Sequence, residues 1–209
     1  MSRRLAKVAA LVVVALAALT GCGGSDGSLS GLSGIQGYVE IPDEPLGPPA
    51  GSVSEADGST WSYDSVAEGS ITLLYFGYTS CPDVCPTTMA DLAAALRDVD
   101  ESTRSKIDVQ FVSTDPNRDT PAQITRWLEG FDPSFRGGRA EINDVIDAAK
   151  VYGIGIEPPE VSDDDYQVTH GAQLLVLEPG GGMVGYFQEL SGADAYAKAI
   201  PILVDKYAA

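Results

Sequence analysis

The stretch SITLLYFGYTS, Ser70 to Ser80, mixes β-branched and aromatic side chains without polar alternation, the pattern of a central strand buried on both faces. The rhythm then changes. Met89, Leu92, Ala93, Leu96 and Val99 recur at helical spacing, with Asp91, Arg97 and Asp98 between them. KIDVQFVST, Lys106 to Thr114, predicts a second strand, and DTPAQITRWLEGF predicts a helix capped by Asp119 or Thr120 with Pro121 in its first turn. A third helix is predicted from about Ile142 to Tyr152. QLLVLEPGGGMVGYF, Gln173 to Phe187, reads as two strands around a Gly-rich turn, an antiparallel hairpin. A last helix, about Ala193 to Tyr207, contains Pro201, a residue that kinks helices. The order βαβα(α)ββα joins a parallel crossover to a terminal hairpin, so the predicted fold class is an α/β sandwich with a mixed central sheet. Its reactive face is expected where the first strand's C-terminal end meets the following helix.

The N-terminus follows a different logic. Arg3, Arg4 and Lys7 precede twelve apolar residues, Val8 to Leu19, an h-region too short to span a bilayer and the pattern of an export signal. It ends in LTGC, Leu19 to Cys22, which resembles the lipobox of bacterial lipoproteins. That resemblance implies removal of residues 1–21 and lipidation of Cys22, which places the protein on the extracytoplasmic face of the cell membrane. Gly23 to Gly37 is Gly/Ser-rich and Pro42 to Gly51 is proline-dense, so residues 22–52 are expected to form a tether and 53–209 the folded domain.

Residues 1–21 hold three of the 13 Lys and Arg and none of the 30 Asp and Glu, leaving 10 bases against 30 acids, a formal charge of −20. Nucleic acid is thereby excluded as a partner class, because phosphate binding needs clustered bases. The acidity serves solubility, and the same charge would attract cations or a basic docking face.

With Cys22 assigned to the anchor, two cysteines remain, Cys81 and Cys85 in SCPDVCP. Pro86 disfavours α geometry for Cys85 and suits a first helical position, so Cys85 is expected at a helix N-cap with Cys81 in the loop before it. Both thiols then face the positive end of the helix dipole, which favours thiolate, the form that attacks disulfides and binds metals. The spacing also permits a disulfide, although one closing so small a loop would constrain the unfolded chain little. The single histidine, His170, precedes the hairpin. Two thiolates and an imidazole form a soft set of ligands that suits copper, whereas a structural zinc site would need a fourth.

GYTSCPDVCPTTM resembles the signature of the SCO/SenC proteins, and FVSTDPNRDTP (Phe111 to Pro121), AAKVYGI (Ala148 to Ile154) and VTHGAQLLVLEPGG (Val168 to Gly181) agree in order. The resemblance implies a thioredoxin-like sandwich, membrane tethering, and Cys81, Cys85 and His170 as ligands of copper, Cu(I) or Cu(II), with the two cysteines able to form a reversible disulfide. It further implies a metallochaperone task, copper delivery to the binuclear copper site of cytochrome c oxidase subunit II or reduction of that site's cysteines. The chain departs from the family pattern at Gly171, where a hydroxyl or other polar residue is expected, a change that leaves the ligand intact but alters its local hydrogen bonding. Asp115, Arg118 and Asp119 serve turn formation and helix capping, or a supporting role around the metal; Asp83, between the thiols, either tunes their charge or favours the turn. The competing function is a thiol:disulfide oxidoreductase acting on exported cysteines, with Cys81 and Cys85 as its redox-active pair. The usual redox motif has two intervening residues and this one has three, so its redox poise cannot be borrowed. A peroxidase reading, with a thiolate at the same helix start, has no further support in the chain.

Overall fold

The computed structural model describes residues 31–41, 44–159 and 166–208 of the 209-residue chain. The expected export signal (1–21), Cys22 and the tether as far as residue 30 lie outside the described residues. In chain order the elements are β1 (Tyr38–Glu40), β2 (Ser52–Glu55), β3 (Thr60–Ser62), β4 (Ile71–Gly77), α1 (Val84–Asp98) and α2 (Glu101–Arg104). They continue with β5 (Ile107–Ser113), α3 (Pro121–Leu128), β6 (Arg136–Arg139), α4 (Ile142–Val151), β7 (Leu174–Leu177), β8 (Met183–Phe187) and α5 (Ala193–Tyr207). Among the described residues no helix is long and apolar enough to cross a membrane.

The strands form one mixed sheet in the order β1-β8-β7-β4-β5-β6-β2-β3, with helices on both faces and a C-terminal hairpin, as the apolar pattern predicts. All seven residues of β4 are buried because it runs parallel to β5 on one side and antiparallel to β7 on the other. Its period of two divides them between faces. Ile71, Leu73 and Tyr75 join a core with α1, α3 and α5, whereas Leu74 and Phe76 meet α4 and Tyr152. Each such side chain contributes roughly 1.5–3 kcal/mol on burial, so the strand that leads into the cysteine turn is packed on both faces.

The domain starts earlier than residue 53. Leu32 is buried, Ile35 packs against the same core, and β1 pairs with β8 through Tyr38 opposite Phe187. Leu46 forms a bridge to Met183. These contacts place residues 31–41 and 44–52 in the domain, a correction to the tether expected over 22–52. The physical reason is that β8 presents an open edge whose backbone groups need partners, and a short strand with a few apolar residues among glycines and serines is enough to cover it.

Two helix starts differ in how well the sequence defines them. Helix α3 begins as predicted, with Thr120 as N-cap in a capping box with Gln123 and Pro121 in the first turn. Helix α1 begins before the position that Pro86 suggests: Asp83 is its N-cap and Cys85 already lies inside the first turn. Proline is tolerated there because the first backbone N–H groups of a helix have no intrahelical acceptor to lose.

Candidate metal centre

Strand β4 delivers the chain into a turn in which the Cys81 N–H donates to the Tyr78 carbonyl at 3.2 Å. Helix α1 then aims its first amides back at that turn: the Cys85 N–H lies 3.5 Å from Cys81 Sγ. The turn is tied down from below. Asp119, fully buried, accepts from the Thr79 N–H at 3.0 Å, the Thr79 hydroxyl at 2.6 Å and the Ser113 hydroxyl at 2.7 Å.

His170 arrives from the opposite direction. It forms an isolated bridge to Ile156, flanked by Glu157 N–H to the Thr169 carbonyl (3.1 Å) and Gly171 N–H to the Gly155 carbonyl (2.9 Å). Its Nδ1 lies 3.2 Å from the Gly171 carbonyl oxygen, a contact that an N–H can make and a bare nitrogen cannot. The proton is therefore assigned to Nδ1. Nε2 faces Cys85 Sγ, 3.6 Å away. Tyr78 and Tyr75 meet the imidazole edge-on, with ring centroids 5.5 and 6.3 Å away.

A Cβ on Gly171 would stand 2.6 Å from Gln173 Oε1 and 2.7 Å from Ile154 Cγ2, so the polar residue of the family pattern would have to displace those two side chains, and here a backbone carbonyl contacts the histidine. Cys81 and His170 line an open cleft of about 360 Å³ together with Tyr78, Asp83, Gln167 and Glu189, while Cys85 is buried behind them.

The donor atoms of Cys81, Cys85 and His170 all lie within 4.8 Å of one another, the only such group of potential metal ligands among the described residues. The other candidates stand apart. Asp83 is exposed on the rim and its carboxylate makes no capping hydrogen bond. Asp115 is fully buried and engaged by Arg118 and by the Tyr166 hydroxyl, away from the thiols. Two sulfurs and one imidazole nitrogen, with no carboxylate among them, fit a soft ion such as Cu(I) better than a four-coordinate structural zinc.

The two thiols divide their protons unequally. A hydrogen bond from Cys85 pulls the Cys81 thiol down to about 4, helped by the N–H groups of Asp83 and Cys85. The same bond, together with burial, pushes Cys85 up. At neutral pH the pair is thus one thiolate and one thiol, and Cys81, the sulfur facing the cleft, is the nucleophile. Because a depressed thiol stays ionised until the pH falls to its own value, alkylation of Cys81 by iodoacetamide is expected to proceed at a nearly constant rate from pH 8 to 5. An ordinary thiol, with a value of about 8.5, would slow roughly tenfold per pH unit below that value. Rate measurements by mass spectrometry across this range check the expectation, and a tenfold fall per unit would contradict it.

The SCO1/SenC family model matches residues 52–205. The chain belongs to the SCO1/SenC family. Among its relatives, Protein sco1 of Schizosaccharomyces pombe is 30% identical over 140 residues, covering 66% of this chain and 53% of that protein. The match to Protein SCO1 homolog 1 of Arabidopsis thaliana covers 42% of its length, so the chain spans about half the length of such curated relatives. Copper-bound ScoI of Bradyrhizobium japonicum superposes with a TM-score of 0.64 at 28% identity, over 78% of this chain and 99% of that one. Apo Sco1 of Thermus thermophilus gives 0.70 at 26% identity, over 81% and 96%. BsSco, described as a Sco-family cytochrome c oxidase assembly protein with a disulfide switch, shares the fold at 18% identity, with a TM-score of 0.60 over 81% and 97%. The mixed sheet with flanking helices is thus the thioredoxin-like architecture of the SCO1/SenC proteins. Tyr78 and Tyr166, beside the SCO-type cluster, were not legible as site residues in the sequence. Tyr78 reads as the end of a core strand, and nothing in the sequence pairs Tyr166 with the distant Arg118.

Proposed function

We propose that this protein binds copper through Cys81, Cys85 and His170 and passes it on during assembly of cytochrome c oxidase, to the binuclear copper site of subunit II. The convergence of two sulfurs and an imidazole nitrogen within 4.8 Å carries this reading. Relatives solved with copper bound and a family member described as an oxidase assembly protein support it. The cleft gives the cargo an exit, since Cys81 and His170 line it while Cys85 lies behind them. Copper entering this set replaces the proton on Cys85, so loading at neutral pH releases acid. A lipid on Cys22 would hold the domain at the extracytoplasmic face of the cell membrane.

The test is a titration of the reduced protein with copper. One copper per chain is expected, with His170→Ala retaining it far more weakly yet still forming the Cys81–Cys85 disulfide. Loaded protein mixed with the apo copper domain of subunit II should then lose its copper to that domain, and Cys22→Ser should release the protein from membranes. A wild type that binds no copper but reduces a disulfide of that domain would establish the oxidoreductase instead. That second reading is favoured by the placement of Cys81, which lines the open cleft with its sulfur 3.5 Å from the Cys85 N–H at the helix start.

A further inference from the structure

The loop between β5 and α3 reaches both halves of the cluster. Asp119 holds the cysteine turn through Thr79, as described. Arg118 faces the other way. Its Nε pairs with the carboxylate of Asp115, and its Nη2 donates to the Tyr166 carbonyl at 2.9 Å. The guanidinium carbon stands 3.7 Å from the centroid of the Tyr166 ring, and the Tyr166 hydroxyl donates back to Asp115 at 2.7 Å. The same carbon lies 5.7 Å from the Tyr78 ring centroid, and that ring meets His170 at 5.5 Å and 86°. Tyr166 lies four residues before His170 in the segment that carries it.

We propose that Arg118 is a positioning residue for His170. Anchored by the buried Asp115, it clamps Tyr166 and braces Tyr78, and so holds the imidazole with Nε2 over Cys85 Sγ. The proposal rests on the reading of Cys81, Cys85 and His170 as copper ligands. Arginine suits the task because a planar fork with a permanent charge stacks on an aromatic face and donates from its edge at the same time, which a lysine ammonium cannot do. Asp115 gives the clamp a fixed base: a fully buried carboxylate needs its partners, so the pair does not drift as an exposed ion pair would. The alternative role for a cation here, offsetting thiolate charge, would require only the charge.

Arg118→Met and Arg118→Lys, made in the full chain alone and with His170→Ala, separate these roles. Cu(I) retention is read by competition with a chelator, and the Cu(II) form by electron paramagnetic resonance. Both single variants are expected to hold copper about 10–100-fold less tightly, the usual cost of losing a partner that orients a ligand. They should also lose the nitrogen hyperfine signal of His170, while Cys81 is alkylated at the wild-type rate. With alanine at 170, Arg118→Met should cost nothing further, because its effect travels through the imidazole. Wild-type retention in Arg118→Lys, or losses that add in full in the double variant, would overturn the proposal. If Arg118→Met does not fold, Tyr166→Leu removes the ring under the guanidinium and carries the same pair of outcomes. A His170→Ala protein that binds copper like wild type overturns the ligand reading and this proposal together, and is recognised without any Arg118 variant.

Discussion

Cys85→Ala should abolish copper retention and, in the same protein, make Cys81 a weaker nucleophile in mild acid. The first effect should exceed about 100-fold, the upper end for loss of a group that merely orients a ligand, because a soft donor atom itself is removed. The second follows from the shared proton. The hydrogen bond from Cys85 is the largest influence holding the Cys81 thiol at about 4; without it the value climbs toward the ordinary 8.5 or so. At pH 6 the wild-type sulfur is almost wholly thiolate, whereas the variant's would be largely protonated, so alkylation slows. Copper competition and the pH dependence of alkylation measure the two effects separately. If the copper is lost but the alkylation profile stays in place, the N–H groups of Asp83 and Cys85 hold the thiolate, and the asymmetry of the pair is a property of the helix start.

That coupling explains why two cysteines with three residues between them left their use open in the sequence. Spacing and Pro86 place both thiols near a helix start, yet which is exposed, which keeps its proton and what faces them depend on residues far along the chain. His170 is 85 positions from Cys85 and reaches it only because β7 pairs antiparallel to β4 and the Ile156 bridge aligns the segment before it. The fold was legible wherever burial writes a period. Strands β4 and β5, the hairpin β7–β8 and helices α1, α3, α4 and α5 all follow their apolar pattern. Strand β6 is RGGR and has no such pattern. It belongs to the sheet because Gly138 lets β2 approach closely: a Cβ there would stand 2.7 Å from the Ser54 carbonyl oxygen. Strand β1 was hidden in the same way, its few apolar residues diluted among glycine and serine. In each case the missing signal is tertiary, a backbone requirement satisfied by a neighbour distant in sequence.

Asp119 offers the largest expected effect on stability, and its two simplest replacements should behave differently. Asp119→Ala leaves the Thr79 N–H, the Thr79 hydroxyl and the Ser113 hydroxyl without their acceptor in a buried place. Each such loss costs about 1–3 kcal/mol, and since the hydroxyls can turn toward other partners, a total near 3 kcal/mol is expected. In a chain of this size that lowers the thermal midpoint by roughly 6–12 °C. Asp119→Asn can keep the whole set: its oxygen takes the place of Oδ2 for the Thr79 N–H and Ser113, and its amide faces the Thr79 hydroxyl, which rotates to accept. Its cost should stay within about 1 kcal/mol. The pH dependence separates the two forms of the side chain further. Burial raises the Asp119 carboxyl above its ordinary value, so the native state holds that proton more tightly than the unfolded chain does. This group's contribution to stability is therefore fully present below the unfolded value of about 3.9 and is lost as the pH rises through the raised native one. Relative to Asp119→Asn, the wild type should thus gain stability on acidification. Denaturant unfolding at several pH values tests both claims. Equal damage from alanine and asparagine at neutral pH would mean that the negative charge, and not the acceptor geometry, secures the cysteine turn. Release of that turn should also be visible at the site, as faster alkylation of Cys81 in Asp119→Ala than in Asp119→Asn, because Thr79 is the link between the carboxylate and the loop that carries the sulfur.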